Sequence, residues 1–114
     1  MHIQRHGCTR RFSDSVVHNG TVYLVEVPTN LDADITGQTE NLLASIERLL
    51  AQAGSDKSRL LMATIYLADM ADYSAMNAVW DAWLPEGSAP ARACVQARLA
   101  NPGFRVEIVL TAAN

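Results

Sequence analysis

Cysteine, aromatic residues and charge are all scarce in this chain, and each shortage excludes a class of protein. Cys8 and Cys94 are its two thiols, too few for a disulfide framework, and both are expected to stay reduced. Charged residues make up 18% of the 114 and leave a formal net charge of -3. Phosphate binders normally carry a basic patch or stripe, so nucleic-acid binding is disfavoured. No apolar run approaches the length that spans a bilayer, and Met1-His2-Ile3-Gln4-Arg5-His6-Gly7 lacks the apolar centre of a secretory signal. A soluble, cytoplasmic protein with no membrane partner is expected. The sequence also lacks a Walker loop, a dinucleotide glycine fingerprint and a Gly-x-Ser-x-Gly elbow. His2, His6 and Cys8 match no zinc-ligand spacing, so no metal is expected.

What is present fits one globular domain over residues 1–114, since 49% of the residues are hydrophobic. Asn19-Gly20, between Val16-Val17-His18 and Thr21-Val22-Tyr23, supplies the positive φ angles of a tight turn and predicts a hairpin from about Ser15 to Val27. Ile35, Leu42, Leu43, Ile46, Leu49, Leu50 and Ala53 recur at helical spacing, with Gly54 at the C-terminal end. A strand over Arg59 to Leu67 follows, with Leu61, Ala63, Ile65 and Leu67 on one face and Leu60, Met62, Thr64 and Tyr66 on the other. Both faces need cover, which a chain this short can supply on one side only, so subunit association is inferred.

Asp69 or Asp72 can cap a second helix that carries Met76, Val79, Trp80 and Trp83 on its apolar stripe and ends before Pro85. Strands over Arg92 to Leu99 and Phe104 to Thr111 flank the turn Asn101-Pro102-Gly103. The order is ββαβαββ, an α+β domain with a mixed sheet and two helices on one face.

Arg92 stands where a proline-led loop becomes a strand, and its planar, permanently charged fork suits bidentate capture of a carboxylate. Taken alone, a solvated or structural charge is the commoner role. Glu107 is a candidate base that positions water. If Ala100 pairs with Arg105 across the last turn, Arg98 falls opposite Glu107 as an ion pair, and spacing alone favours that reading. The same register puts Arg92 near Ala113, on the order of 20 Å from Glu107, so a site using both is expected to draw them from neighbouring subunits. Asn77 lies beside the apolar stripe of the second helix, where capping a loop or bonding a strand is the favoured role. Tyr73, Trp80 and Trp83 are expected in the core or an interface. Cys94 shares the face of Arg92 but has no histidine near it in sequence, so it is expected to line a pocket and not to act as a nucleophile.

Five ordered motifs carry a family resemblance: Gln38-Thr39-Glu40-Asn41-Leu42-Leu43, Ala53-Gly54-Ser55, Ala63-Thr64-Ile65-Tyr66-Leu67-Ala68-Asp69, Met76-Asn77-Ala78-Val79-Trp80, and Pro90-Ala91-Arg92 with Val106-Glu107-Ile108. Over nearly its whole length the chain resembles the RidA/YjgF family. In Asn30-Leu31-Asp32-Ala33-Asp34 and Trp80-Asp81-Ala82-Trp83 it is similar to the short bacterial YoaB-like branch. The resemblance implies a chorismate-mutase-like fold, a homotrimer with ligand clefts between subunits, and no cofactor. It implies that Arg92 grips the carboxylate of a reactive 2-imino acid while Glu107 orients the water that hydrolyses it to a 2-oxo acid and ammonia. Asn77 and Cys94 match positions of the family's cleft.

Two departures stand out. Deaminase members carry a small residue followed by glycine shortly before the proline that matches Pro28, where this chain reads Leu24-Val25-Glu26-Val27. Larger residues there reshape a cleft that glycine would leave open to close approach. The family's amino-terminal tyrosine is also missing, and Phe12 is the nearest counterpart for substrate contact. Two functions therefore stand: an imine deaminase, or a non-catalytic trimer that binds small carboxylates such as imino or oxo acids as a sensor or regulator.

Overall fold

A computed structural model of the chain describes residues 2–114. Its elements are β1 (Gln4–His6), β2 (Ser15–His18), β3 (Thr21–Glu26), α1 (Ile35–Gln52), β4 (Leu60–Leu67), α2 (Tyr73–Trp83), β5 (Ala91–Gln96) and β6 (Val106–Ala113). The strands form one mixed sheet in the order β1-β2-β3-β6-β4-β5. Only the β4–β5 pairing is parallel, and α2 is the crossover that such a pair requires.

The expectations for the hairpin and the first helix hold, whereas Asp72 stands at the start of α2 without a side-chain cap bond and Asp69 instead accepts from the Ala71 amide in the turn before it. Asn19 (φ 53°) and Gly20 (φ 77°) both adopt positive φ, closing a hairpin that pairs His18 with Thr21 and Val17 with Val22. Asp34 caps α1 by accepting a hydrogen bond from the Gly37 amide, and Gly54 takes φ 79° just past the helix end. Leu42, Leu43, Ile46 and Leu50 of α1, with Met76 and Trp80 of α2, pack onto one sheet face against Val22, Leu24, Ala63, Ile65, Leu67 and the buried alternates of β6. Both helices thus cover the same face.

The opposite face is left open, as inferred, with Tyr23, Val25, Met62 and Val95 exposed on it. One face assignment needs correction. The β4–β6 ladder shifts register between Leu60 and Met62, so Leu60 turns into the core while Leu61 and Met62 stay about half exposed. A bulge inserts one residue and flips the side-chain alternation on one side of it.

Two larger differences concern strand pairing. Gln4–His6 pairs with Ser15–Val17, so the order is βββαβαββ, one strand longer at the start than expected. The last two strands do not pair with each other either. β6 inserts between β3 and β4, whereas β5 forms the edge and stops at Gln96. The reason lies in side-chain alternation. β6 buries Val106, Ile108, Leu110 and Ala112 on one face, a complete core row fit for a central strand. β5 offers Arg92, Cys94 and Gln96 in the same row, which suits an edge.

Gln38 ties β6 to the rest. It is fully buried, its Nε2 donates among the carbonyls of Leu31, Ala33 and Gly103 at 3.0–3.3 Å, and its Oε1 accepts from the Arg105 amide at 2.8 Å. Gln38→Leu keeps the volume but strands those backbone groups, and is expected to cost about 2–4 kcal/mol in urea unfolding. A loss below about 0.5 kcal/mol would mean that the loops do not depend on this clamp.

Candidate functional site

The most chemically distinctive place in the fold is where β5 passes under α2. Arg92 pairs with Ala63 of β4 and shares its face, so the side chain rises toward the helix. Tyr73, Asn77 and Trp80 follow one another at i, i+4 and i+7 on α2 and form a single stripe above it. Arg92 Nη1 donates to Asn77 Oδ1 at 2.8 Å, and Nη2 donates to Tyr73 Oη at 3.3 Å. The guanidinium carbon lies 5.9 Å from the Tyr73 ring centre and 5.6 Å from that of Trp80, within range of cation–π attraction.

Every partner of Arg92 is neutral. Among the described residues the ion pairs are Lys57–Glu47 and Arg105–Asp72, and no carboxylate comes within 4.0 Å of Arg92. A guanidinium has five N–H donors and keeps its charge at any physiological pH. Two donors orient this one against α2 and leave the others for an anion. Arg92 lines an open depression of about 560 Å³ with Met70, Tyr73, Ser74 and Cys94. Burial pushes the Cys94 thiol up, and the lowering effect of Arg92 only partly offsets it. The group therefore enters the site as a thiol and not as a thiolate nucleophile.

Asn77 and Cys94 thus gather around Arg92, but Glu107 and Phe12 do not. Glu107 pairs with Tyr66 across the β4–β6 ladder, and its side chain shares the open face with Val109 and Thr111. Arg92 points to the helix-covered face, so within one chain the sheet itself stands between the two. The register expected to separate them, with Arg92 near Ala113, does not form, since Arg92 pairs with Ala63 of β4, and opposite faces separate the two instead. Phe12 is 62% exposed in the segment between β1 and β2, at the sheet edge away from β5.

The Arg98–Glu107 ion pair does not form. β5 ends before Arg98, so Arg98 has no ladder position opposite Glu107. The two only border the same shallow depression, of about 310 Å³, beside Tyr66, Leu99 and Val109. Within the departing run, Leu24 is buried, while Val25 faces the open side and pairs with Val109, one alternate position from Glu107. Val25 and Glu107 would therefore meet the same occupant of that face.

Tyr73 was expected as core or interface, and its role beside Arg92 was missed. The signal was its place four residues before Asn77 on one helix face.

Known proteins match the chain over nearly its whole length. The family described as endoribonuclease L-PSP matches residues 3–114. The RutC family protein YoaB of Escherichia coli strain K12 is 52% identical over 113 residues, covering 99% of each chain. A RutC family protein of Haemophilus ducreyi is 50% identical over 112 residues, covering 97% of this chain and 96% of its own. The crystal structure of a YjgF family member from Neisseria meningitidis superimposes with a TM-score of 0.97 at 51% identity, covering 100% of this chain and 96% of the other.

With Cys8→Ser as background, alkylation of Cys94 by iodoacetamide is expected to stay slow near neutral pH and to accelerate only above the ordinary thiol range of about 8.5. A rate midpoint at or below that range would show that the arginine outweighs burial.

Proposed function

The chain belongs to the endoribonuclease L-PSP family, and on that premise we propose that it is a homotrimer whose intersubunit clefts hydrolyse reactive 2-imino acids to 2-oxo acids and ammonia. The observation that carries this reading is the uncompensated charge of Arg92, held in place by the neutral acceptors Asn77 and Tyr73. Such a group binds an anion without first breaking an ion pair, and its fork suits a carboxylate. The formal net charge of -3 gives an RNA substrate little support, whatever the family's description.

In the proposed reaction Arg92 fixes the substrate carboxylate and hence the adjacent imine carbon. Glu107, brought by a neighbouring subunit, accepts a proton from water as the oxygen attacks that carbon. Glu107 returns that proton to the nitrogen, and as the C–N bond of the tetrahedral adduct breaks the adduct's hydroxyl proton also passes to the nitrogen, so that ammonia leaves and a carbonyl remains. Water is the only co-reactant and no cofactor is required. The open sheet face supports the assembly, because it presents Glu107 together with the exposed apolar residues Tyr23, Val25, Met62 and Val95.

A second reading is a trimer that binds small carboxylates without turnover, and Val25 favours it. Its side chain stands beside Glu107, within the run Leu24–Val27 where the resemblance expects a small residue followed by glycine. Releasing short-lived 2-imino acids from a panel of amino acids with an oxidase separates the two. Faster ammonia release with the protein than with Arg92→Ala supports hydrolysis, whereas thermal stabilisation by 2-oxo acids at equal rates supports binding alone. For the shared cleft, co-refolding equal amounts of Arg92→Ala and Glu107→Ala chains is expected to restore about a quarter of wild-type activity, since one cleft in four receives both intact residues. No recovery in verified mixed trimers would place both residues of a site in one chain.

A further inference from the structure

Tyr73 holds a second donor that faces the Arg92 depression. Arg92 Nη2 donates to Tyr73 Oη at 3.3 Å, so the hydroxyl oxygen is the acceptor in that bond and its own proton must point elsewhere. Among the described residues no acceptor takes that proton. Tyr73 is 40% exposed, and it lines the depression together with Arg92, Ser74 and Cys94. The ring is placed by the first turn of α2 and by its stacking near the guanidinium at 5.9 Å, so the hydroxyl has a defined position.

We propose that the Tyr73 hydroxyl is a ligand contact, donating to an oxygen of the carboxylate held by Arg92, so that β5 and α2 together form a donor-only cradle. The inference rests on the reading of Arg92 as a carboxylate anchor and extends it to specificity. A carboxylate is acceptor-only, with about four lone-pair sites, and takes the arginine fork and the phenol at once. A carboxamide would turn an N–H₂ group toward these donors and leave hydrogen-bonding groups unpaired, so the free acid is selected over its amide. Within the proposed substrates, those with a free carboxylate are thereby selected over their amides and esters.

The test is calorimetric titration with 2-oxobutanoate and with 2-oxobutanamide. Wild type is expected to bind the acid at least tenfold more tightly than the amide. Tyr73→Phe, which keeps the ring, should weaken acid binding about fivefold to tenfold at unchanged melting temperature. A purely positioning role for the hydroxyl could produce the same loss, so 3-fluorotyrosine placed at position 73 supplies a second readout. At about pH 6, where the phenol stays protonated, it is a stronger donor and a weaker acceptor. Tighter binding of the acid supports a ligand contact. Unchanged or weaker binding overturns it and leaves Tyr73 only to orient Arg92. If wild type binds the acid and Arg92→Ala does not, yet Tyr73→Phe matches wild type, this inference alone fails. If wild type itself does not bind the acid, the carboxylate-anchor reading fails with it.

Discussion

The insertion of β6 between β3 and β4 is the constraint on which the rest of the molecule depends. Its buried alternates Val106, Ile108, Leu110 and Ala112 make a row that only a central strand can satisfy, because both neighbouring strands and α1 contribute to its cover. Once that row faces the helices, Glu107 must face the other way, since strand side chains alternate. β5 is then displaced to the edge beside β4, where the parallel pairing brings Arg92 and Cys94 up under α2. A single packing decision therefore sets both halves of the candidate site and puts them on opposite sides of the sheet. Gln38 secures the entry to that strand through the Arg105 amide, two residues before Glu107.

Arg92 is costly to hold where it is. A half-buried charge loses hydration, and one without a carboxylate partner recovers little of it through the protein. The fold offsets part of that loss with two neutral hydrogen bonds and the faces of Tyr73 and Trp80. Neutral acceptors orient the fork without cancelling its charge, as a carboxylate would have done. A structural ion pair would have stabilised the chain more and left nothing for a ligand. The arrangement favours binding over stability, as expected of a functional site.

What could be read from the sequence was what short-range chemistry decides. The Asn19-Gly20 turn, the α1 stripe with Gly54 at its end and the end of α2 before Pro85 each depend on a few adjacent residues, and each stands where expected. Strand order was not legible in the same way. β3 and β6 meet across most of the chain, and the apparent turn at Asn101-Pro102-Gly103 suggested a hairpin that the core row of β6 overrides. The Arg98–Glu107 pair fell with that hairpin. The bulge at Leu61 was invisible for a related reason, because one extra residue in a ladder leaves no mark on an apolar run. Arg92 was singled out from the sequence, yet its nearest partners had to be found in space. The resemblance named Asn77 among them, while Tyr73 looked like one more aromatic of the core.

The two-faced sheet also bears on how such a site could be controlled. An isolated chain presents an arginine without its acid on one face, and an acid among exposed apolar residues on the other. Covering those apolar residues with a neighbouring subunit removes them from water, and in the proposed trimer the same contact brings the carboxylate to the arginine. Assembly and completion of the site then draw on one source of free energy. A substitution that only weakens the interface would lower the number of complete sites without touching a reacting group. In the proposed trimer Val25 lies where the two requirements meet: its bulk would add apolar area to the interface and remove space beside Glu107. A glycine there would open the cleft of that trimer but bury less at the contact.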